Sequence, residues 1–152
     1  MGCRVTYEQW ISLVPESMKK DAIWKIEAYR LAVFLVDLAW YDVTKLMRDK
    51  RLGGHVGQLY RSVGSISANI SEGYSRATGR ERARFYEFAL GSARESRDWY
   101  YQSRHVLRDQ VADHRIDLLT QIIRLLLTMV PEQRRSNHRV AQPRPTRLPA
   151  IK

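Results

Sequence analysis

HVGQLYRSVGSISANISEGYSRATGRERARFYEFALGSARE, from His55 to Glu95, reads as two consecutive helices. On the first, at 100° per residue, Leu59, Val63, Ile66 and Ile70 form one stripe and Ser62, Ser65, Asn69, Glu72 and Arg76 another. Apolar and polar lines therefore run side by side. A third line holds only small residues, Gly57, Gly64, Ala68 and Ser71. Glycine in a helix interior costs about 1 kcal/mol relative to alanine, which close approach of a neighbouring helix would offset. On the second helix Phe85, Ala89, Ser92, Ser96, Trp99, Ser103 and Val106 share a face where small and large residues alternate. Thr78 and Glu81 supply a capping box after a short turn. The pair is expected to pack tightly and antiparallel.

The order and spacing of Gln58, Arg61, Ser65, Asn69, Glu72, Gly73 and Arg76, then Phe85, Ala89, Gly91, Ser92 and Glu95, carry a family likeness. They resemble the four-helix-bundle proteins of intervening sequences in bacterial large-subunit ribosomal RNA genes, and a looser likeness runs from Trp24 to Val130. The resemblance implies an all-α, antiparallel up-down-up-down four-helix bundle. Related bundles are the accessory variability determinants of diversity-generating retroelements. That likeness implies a basic homo-oligomer, a pentamer, that binds nucleic acid and a reverse transcriptase.

Outward from this stretch, Thr6 and Gln9 make a capping box for a short helix, Tyr7 to Leu13, closed by Pro15. Asp21 is placed to cap a long helix from Ala22 to Arg48, which ends before Gly53-Gly54. This helix has two apolar stripes: Trp24, Ala28, Leu31, Leu35 and Leu38, and roughly 140° away Tyr29, Val33, Val36, Trp40, Val43 and Met47. A fourth helix, capped by Asp113 and ending at Pro131, is apolar over about 200°, beyond the roughly 100° that one core contact requires. Both surpluses argue for a subunit interface. The expected organisation is an N-terminal arm (1–20), a bundle (21–131) and a disordered basic tail (132–152), since Pro143, Pro145 and Pro149 forbid a helix there.

The formal charge is +10, and residues 131–152 hold six Lys+Arg against one Glu. A balance this basic favours nucleic acid or an acidic surface as partner; the plainer reading is solubility alone. A single cysteine, Cys3, excludes an internal disulfide framework, and no apolar run approaches the roughly 20 residues that span a bilayer. The chain reads as cytoplasmic, without membrane or secretory segment. Met1-Gly2-Cys3-Arg4-Val5-Thr6 fits the loose myristoylation pattern and is read as a chance match.

Enzymatic chemistry finds no foothold. A di-metal centre in a helical bundle needs Glu-x-x-His pairs, and His55, His105, His114 and His138 each lack a Glu three residues earlier. There is no P-loop, dinucleotide fingerprint or zinc spacing, so no metal or cofactor is expected. Glu72 with Asn69, Ser65 and Arg61 has the makings of a general acid or base, but no nucleophile accompanies it. The structural reading is a polar network, buried between helices and fixing their register.

The best functional feature is a basic stripe on the third helix. Arg94, Arg97, Tyr101, Arg104 and Arg108 fall within about 80° and span about 21 Å. Arginine's planar fork suits phosphate and tyrosine can stack on a base. The competing reading is a solvated face, with Asp98 pairing Arg94 at i+4. Arg80, Arg82 and Arg84 near the turn extend the basic surface. Two readings follow: a non-enzymatic oligomer that binds RNA or DNA through phosphates, as an accessory to a reverse transcriptase or a structured RNA, or a protein-interaction scaffold with incidental charge.

Overall fold

The structure is a computed structural model that describes residues 5–136. The Met1-Gly2-Cys3 motif, His138 and the expected tail from 137 onward lie outside the described residues. The chain is all-α. Its helices are α1 (Tyr7–Leu13), α2 (Glu16–Lys19), α3 (Glu27–Leu46), α4 (Gly53–Tyr74), α5 (Gly79–Leu107) and α6 (Asp109–Arg135). Among the described residues no helix is long and apolar enough to cross a membrane.

The four long helices surround one core. Leu35 and Leu46 of α3, Leu59, Ile66 and Ile70 of α4, Tyr86, Tyr100 and Leu107 of α5, and Leu119, Ile122 and Leu126 of α6 are all fully buried. Each such aliphatic side chain contributes about 1.5–3 kcal/mol through its removal from water. α4 and α5 run antiparallel: Ser96 Oγ donates to Ser62 Oγ at 2.9 Å, and the His55 ring meets Trp99 edge-on at 4.3 Å near the other end. The expected α5 face is therefore the one that packs on α4.

The small-residue line is not the packing line. A Cβ on Gly57 or Gly64 would meet nothing within 4 Å, whereas one on Gly73 would lie 2.9 Å from Phe85 Cβ and from Tyr86 Cε1. Close approach is thus concentrated at the end of α4, where the chain turns into α5. Thr78 caps α5 by accepting from the Glu81 amide. At Gly79 a Cβ would sit 2.1 Å from the Gln133 carbonyl oxygen, so a hydrogen is all that fits between the start of α5 and the end of α6.

Three helix boundaries differ from expectation by more than two residues. Asp21 caps a 3-10 turn, Ala22–Lys25, and α3 starts only at Glu27, after extended Ile26. That turn presents Trp24, which stacks on Trp10 of α1 at 6.1 Å, while Arg30 donates to the Trp24 carbonyl at 2.5 Å. Trp10 is buried and donates to Asp37 at 2.5 Å, so the N-terminal arm is docked on α3. At the other end α6 begins at Asp109, not Asp113, because a single residue, Arg108 at φ 70° and ψ 145°, makes the turn from α5. α6 then continues through Pro131 to Arg135. A proline inside a helix costs about 3 kcal/mol. The turn that follows Pro131 meets the start of α5, Gln133 against Gly79 and Arg134 in an ion pair with Glu87.

The wide apolar arc of α6 is largely used within the subunit. Leu118, Leu119, Ile122, Ile123, Leu126 and Val130 are buried and only Leu127 of the apolar set is exposed, because α6 packs against both α5 and α3. It gives no argument for an interface. The second stripe of α3 is different: Val43 is buried, Tyr29, Val33 and Val36 are half-buried, but Trp40 and Met47 are 60% and 72% exposed. Trp40 packs edge-on against Tyr60 of α4, itself at the surface.

Inside the core lies a polar cluster that sequence patterning did not reveal. Arg115 of α6 donates to both carboxylate oxygens of Asp42 in α3, Nε to Oδ2 at 2.7 Å and Nη2 to Oδ1 at 3.1 Å. Tyr100 of α5 donates to the same Oδ2 at 2.9 Å. Three helices are pinned at one point.

Candidate nucleic-acid interface

The basic stripe lies on the flank of α5 turned away from α4. Arg94, Tyr101 and Arg108 are exposed, and Arg97 and Arg104 are half-buried. Arg104 is oriented by Tyr101: its Nη1 donates to the Tyr101 carbonyl at 2.8 Å, and its guanidinium sits 4.0 Å from the centre of the tyrosine ring. A planar cation stacked on a ring presents its N–H edge outward, the geometry that suits phosphate. Among the described residues none of Arg94, Arg97, Arg104 and Arg108 enters an ion pair, and Asp98 does not pair with Arg94. The charge of the stripe is not neutralised by direct carboxylate contact.

Nearer the start of α5, Arg80 and Arg84 are exposed. Arg84 lies over Phe88, 5.6 Å from the ring centre, and that phenylalanine is at the surface. Arg82 does not belong to this surface. It is only 7% exposed, and its Nε donates to the Arg76 carbonyl at 2.8 Å. At about 100° per residue Arg80 and Arg84 share one face and Arg82, two residues from each, lies on the opposite one. Arg134 takes its place: it lines a depression with Arg80, Glu81, Arg84 and Glu87, pairing with Glu87. Sequence reading missed Arg134 because α6 was expected to end at Pro131. It also missed Phe88, whose signal was the i+4 spacing from Arg84.

The polar motif of α4 is not a buried network. Gln58, Arg61 and Glu72 are exposed, while Ser65, Asn69 and Arg76 are half-buried. Ser65 Oγ donates to the Arg61 carbonyl and Asn69 Nδ2 to the Ser65 carbonyl, each at 2.8 Å, so both side chains return to their own helix. Glu72 pairs with Arg76 at the surface. The cross-helix contacts come from Ser62, from Gly73, and from Arg76, whose guanidinium lies 4.8 Å from the Phe85 ring centre. The core needs only the Leu59 to Ile70 stripe, which leaves the adjacent polar stripe at the rim. Among the described residues no group of three or more His, Cys, Asp or Glu is placed to hold a metal ion.

Residues 25–128 match the family model described as 23S rRNA-intervening sequence protein. No curated protein matches the chain. A crystal structure from Bacteroides thetaiotaomicron, described as a protein with unknown function from the S23 ribosomal protein family, superposes with a TM-score of 0.64 at 18% identity, covering 68% of this chain and 97% of that one. That likeness is one of fold.

Proposed function

This chain belongs to the 23S rRNA-intervening sequence protein family, and from that footing we propose that it is a non-enzymatic protein that binds RNA or DNA through phosphates. The observation that carries the reading is the stripe from Arg94 to Arg108, whose arginines form no ion pair among the described residues and one of which is stacked on a surface tyrosine. Arg80, Arg84 and Arg134 extend it, and the net charge of +10 supplies the long-range attraction. Contacts of this kind read phosphate and shape rather than base edges. In this reading the protein works in the cytoplasm as a homo-oligomer, first of all a pentamer, repeating the stripe on each subunit. Its role is accessory, to a structured RNA or to a reverse transcriptase, the second resting on likeness to the accessory variability determinants. Filter binding of the full chain to RNA and DNA of unrelated sequences tests the first claim. A reverse-transcriptase gene with a template repeat, or an embedding ribosomal RNA gene, beside the coding sequence would point to the partner.

A second reading, an oligomeric protein-interaction scaffold with incidental charge, draws on the exposed apolar patch of Trp40, Tyr60 and Met47, which the first reading uses for self-assembly. It predicts a protein partner on that patch and no dependence on the arginines of α5.

A further inference from the structure

Arg82, excluded from the outer surface, faces a pocket. At the end of the bundle where α3 and α5 begin and α4 and α6 end, a cavity of about 370 Å³ is open on one side. It is lined by Tyr74, Arg82, Tyr86, Leu125, Met129 and Gln133 and by the first residues of α3, Ile26 to Ala28. Ligand pockets of small molecules start at roughly 300 Å³ and combine mostly apolar walls with a few fixed polar groups.

Two features of this pocket ask for negative charge, and they are independent. First, Arg82 is over nine-tenths buried and enters no ion pair with a described carboxylate. Among the described residues only its Nε has a hydrogen-bond partner, the Arg76 carbonyl, and Tyr74 covers one side of the guanidinium at 5.5 Å. Its Nη nitrogens keep contact with solvent at the pocket, and an anion bound there would give them charged acceptors. Second, α3 starts at this wall without a side-chain cap, so its first backbone amides border the same space, with Glu27 in the same turn. Glu27, at the exposed rim of the wall, is the one acid lining the pocket among the described residues and forms no ion pair with Arg82.

We propose that this pocket binds a small organic anion, a carboxylate or phosphate joined to an aromatic or aliphatic body. The anionic group meets Arg82, whose fork offers two parallel N–H donors to either oxyanion. The body lies against Tyr74, Tyr86, Leu125 and Met129. The site is separate from the α5 stripe and does not rest on nucleic-acid binding.

The test is calorimetric titration of the full chain with phenylacetate, phenyl phosphate and the neutral 2-phenylacetamide, in about 150 mM salt, where exposed charges are screened beyond roughly 8 Å. At least one anion is expected to bind one saturable site per chain, tenfold or more tighter than the amide; which anion binds better identifies carboxylate or phosphate. Arg82→Gln should weaken that binding at least tenfold. Met129→Trp fills the wall without touching Arg82 and should abolish it, and it decides the matter if Arg82→Gln does not fold. The variant with Arg97, Arg104 and Arg108 changed to Gln should bind as the parent does. Anions bound no tighter than the amide, binding that survives Met129→Trp, or binding abolished along with the stripe would each overturn the site.

Discussion

Arg115 holds Asp42 by two nitrogens, at 2.7 and 3.1 Å, across 73 residues of chain and between α6 and α3. Both side chains are largely removed from water, so each depends on the other. Removing one partner strands a buried charge, at about 3–5 kcal/mol. Arg115→Met should therefore lower the stability measured by urea unfolding by that amount. The double change Arg115→Met with Asp42→Leu should recover much of the loss.

Tyr100 gives the same cluster a pH dependence. Burial first, then the charge of Asp42 and its hydrogen bond, push the Tyr100 hydroxyl well above its ordinary range; Tyr86 is raised too, chiefly by burial. A raised folded-state value means the stabilisation is complete below the unfolded value of about 10 and is lost as pH climbs past it. Unfolding free energy should fall above about pH 10, by up to roughly 1.4 kcal/mol per pH unit for each such tyrosine. Tyr100→Phe should lower the plateau but reduce the alkaline slope by close to one proton. An unchanged slope would mean that Tyr100 ionises as readily in the folded chain as in the unfolded one.

Within the α4 motif, neighbouring residues should differ sharply. Glu72→Ala removes a surface ion pair worth at most about 1 kcal/mol. Gly73→Ala drives a methyl to 2.9 Å from Phe85 Cβ and the Tyr86 ring, which should cost about 1–3 kcal/mol through overpacking. Chemical denaturation of the two variants side by side checks the order; equal losses would restore the buried-network reading of Glu72.

The proposed assembly would use the surface of α3 and α4. Light scattering should give a mass several times 17.8 kDa. Trp40→Gln together with Met47→Gln should return the protein to a monomer with its helicity intact, since both side chains already face solvent in the isolated subunit. A parent protein that is monomeric at micromolar concentration would rule out a ring of repeated stripes.

How far the sequence could be read depended on what each signal measures. The α4 and α5 helices were legible because periodicity reports which face is apolar, and Leu59, Val63, Ile66 and Ile70 do face the core. Periodicity does not report whether a polar stripe beside the core is covered, so Ser62 is buried while Asn69 and Glu72 are not. Boundaries failed where tertiary contacts overrode local signals: Pro131 sits inside α6, and Arg108 turns the chain without glycine or proline. In the candidate interface the i, i+3 and i+4 pattern found the stripe on α5. It could not show that Asp98 and Arg94 form no ion pair with each other, nor that Arg82 turns inward, because both depend on where side chains settle against neighbouring helices. The Asp42, Tyr100 and Arg115 cluster joins three helices distant in sequence, and no local spacing announces it.

The most direct test of the central claim is the salt dependence of nucleic-acid binding by the parent chain and by the variant with Arg97, Arg104 and Arg108 all changed to Gln. Filter-binding titrations at several salt concentrations should show that the parent binds RNA and DNA of unrelated sequence alike. The variant should bind each more weakly, and its plot of log K against log salt should be flatter by about one unit for every phosphate it no longer neutralises. No detectable binding by the intact protein at low salt, or a variant whose affinity and slope match the parent's, would contradict binding through the α5 stripe.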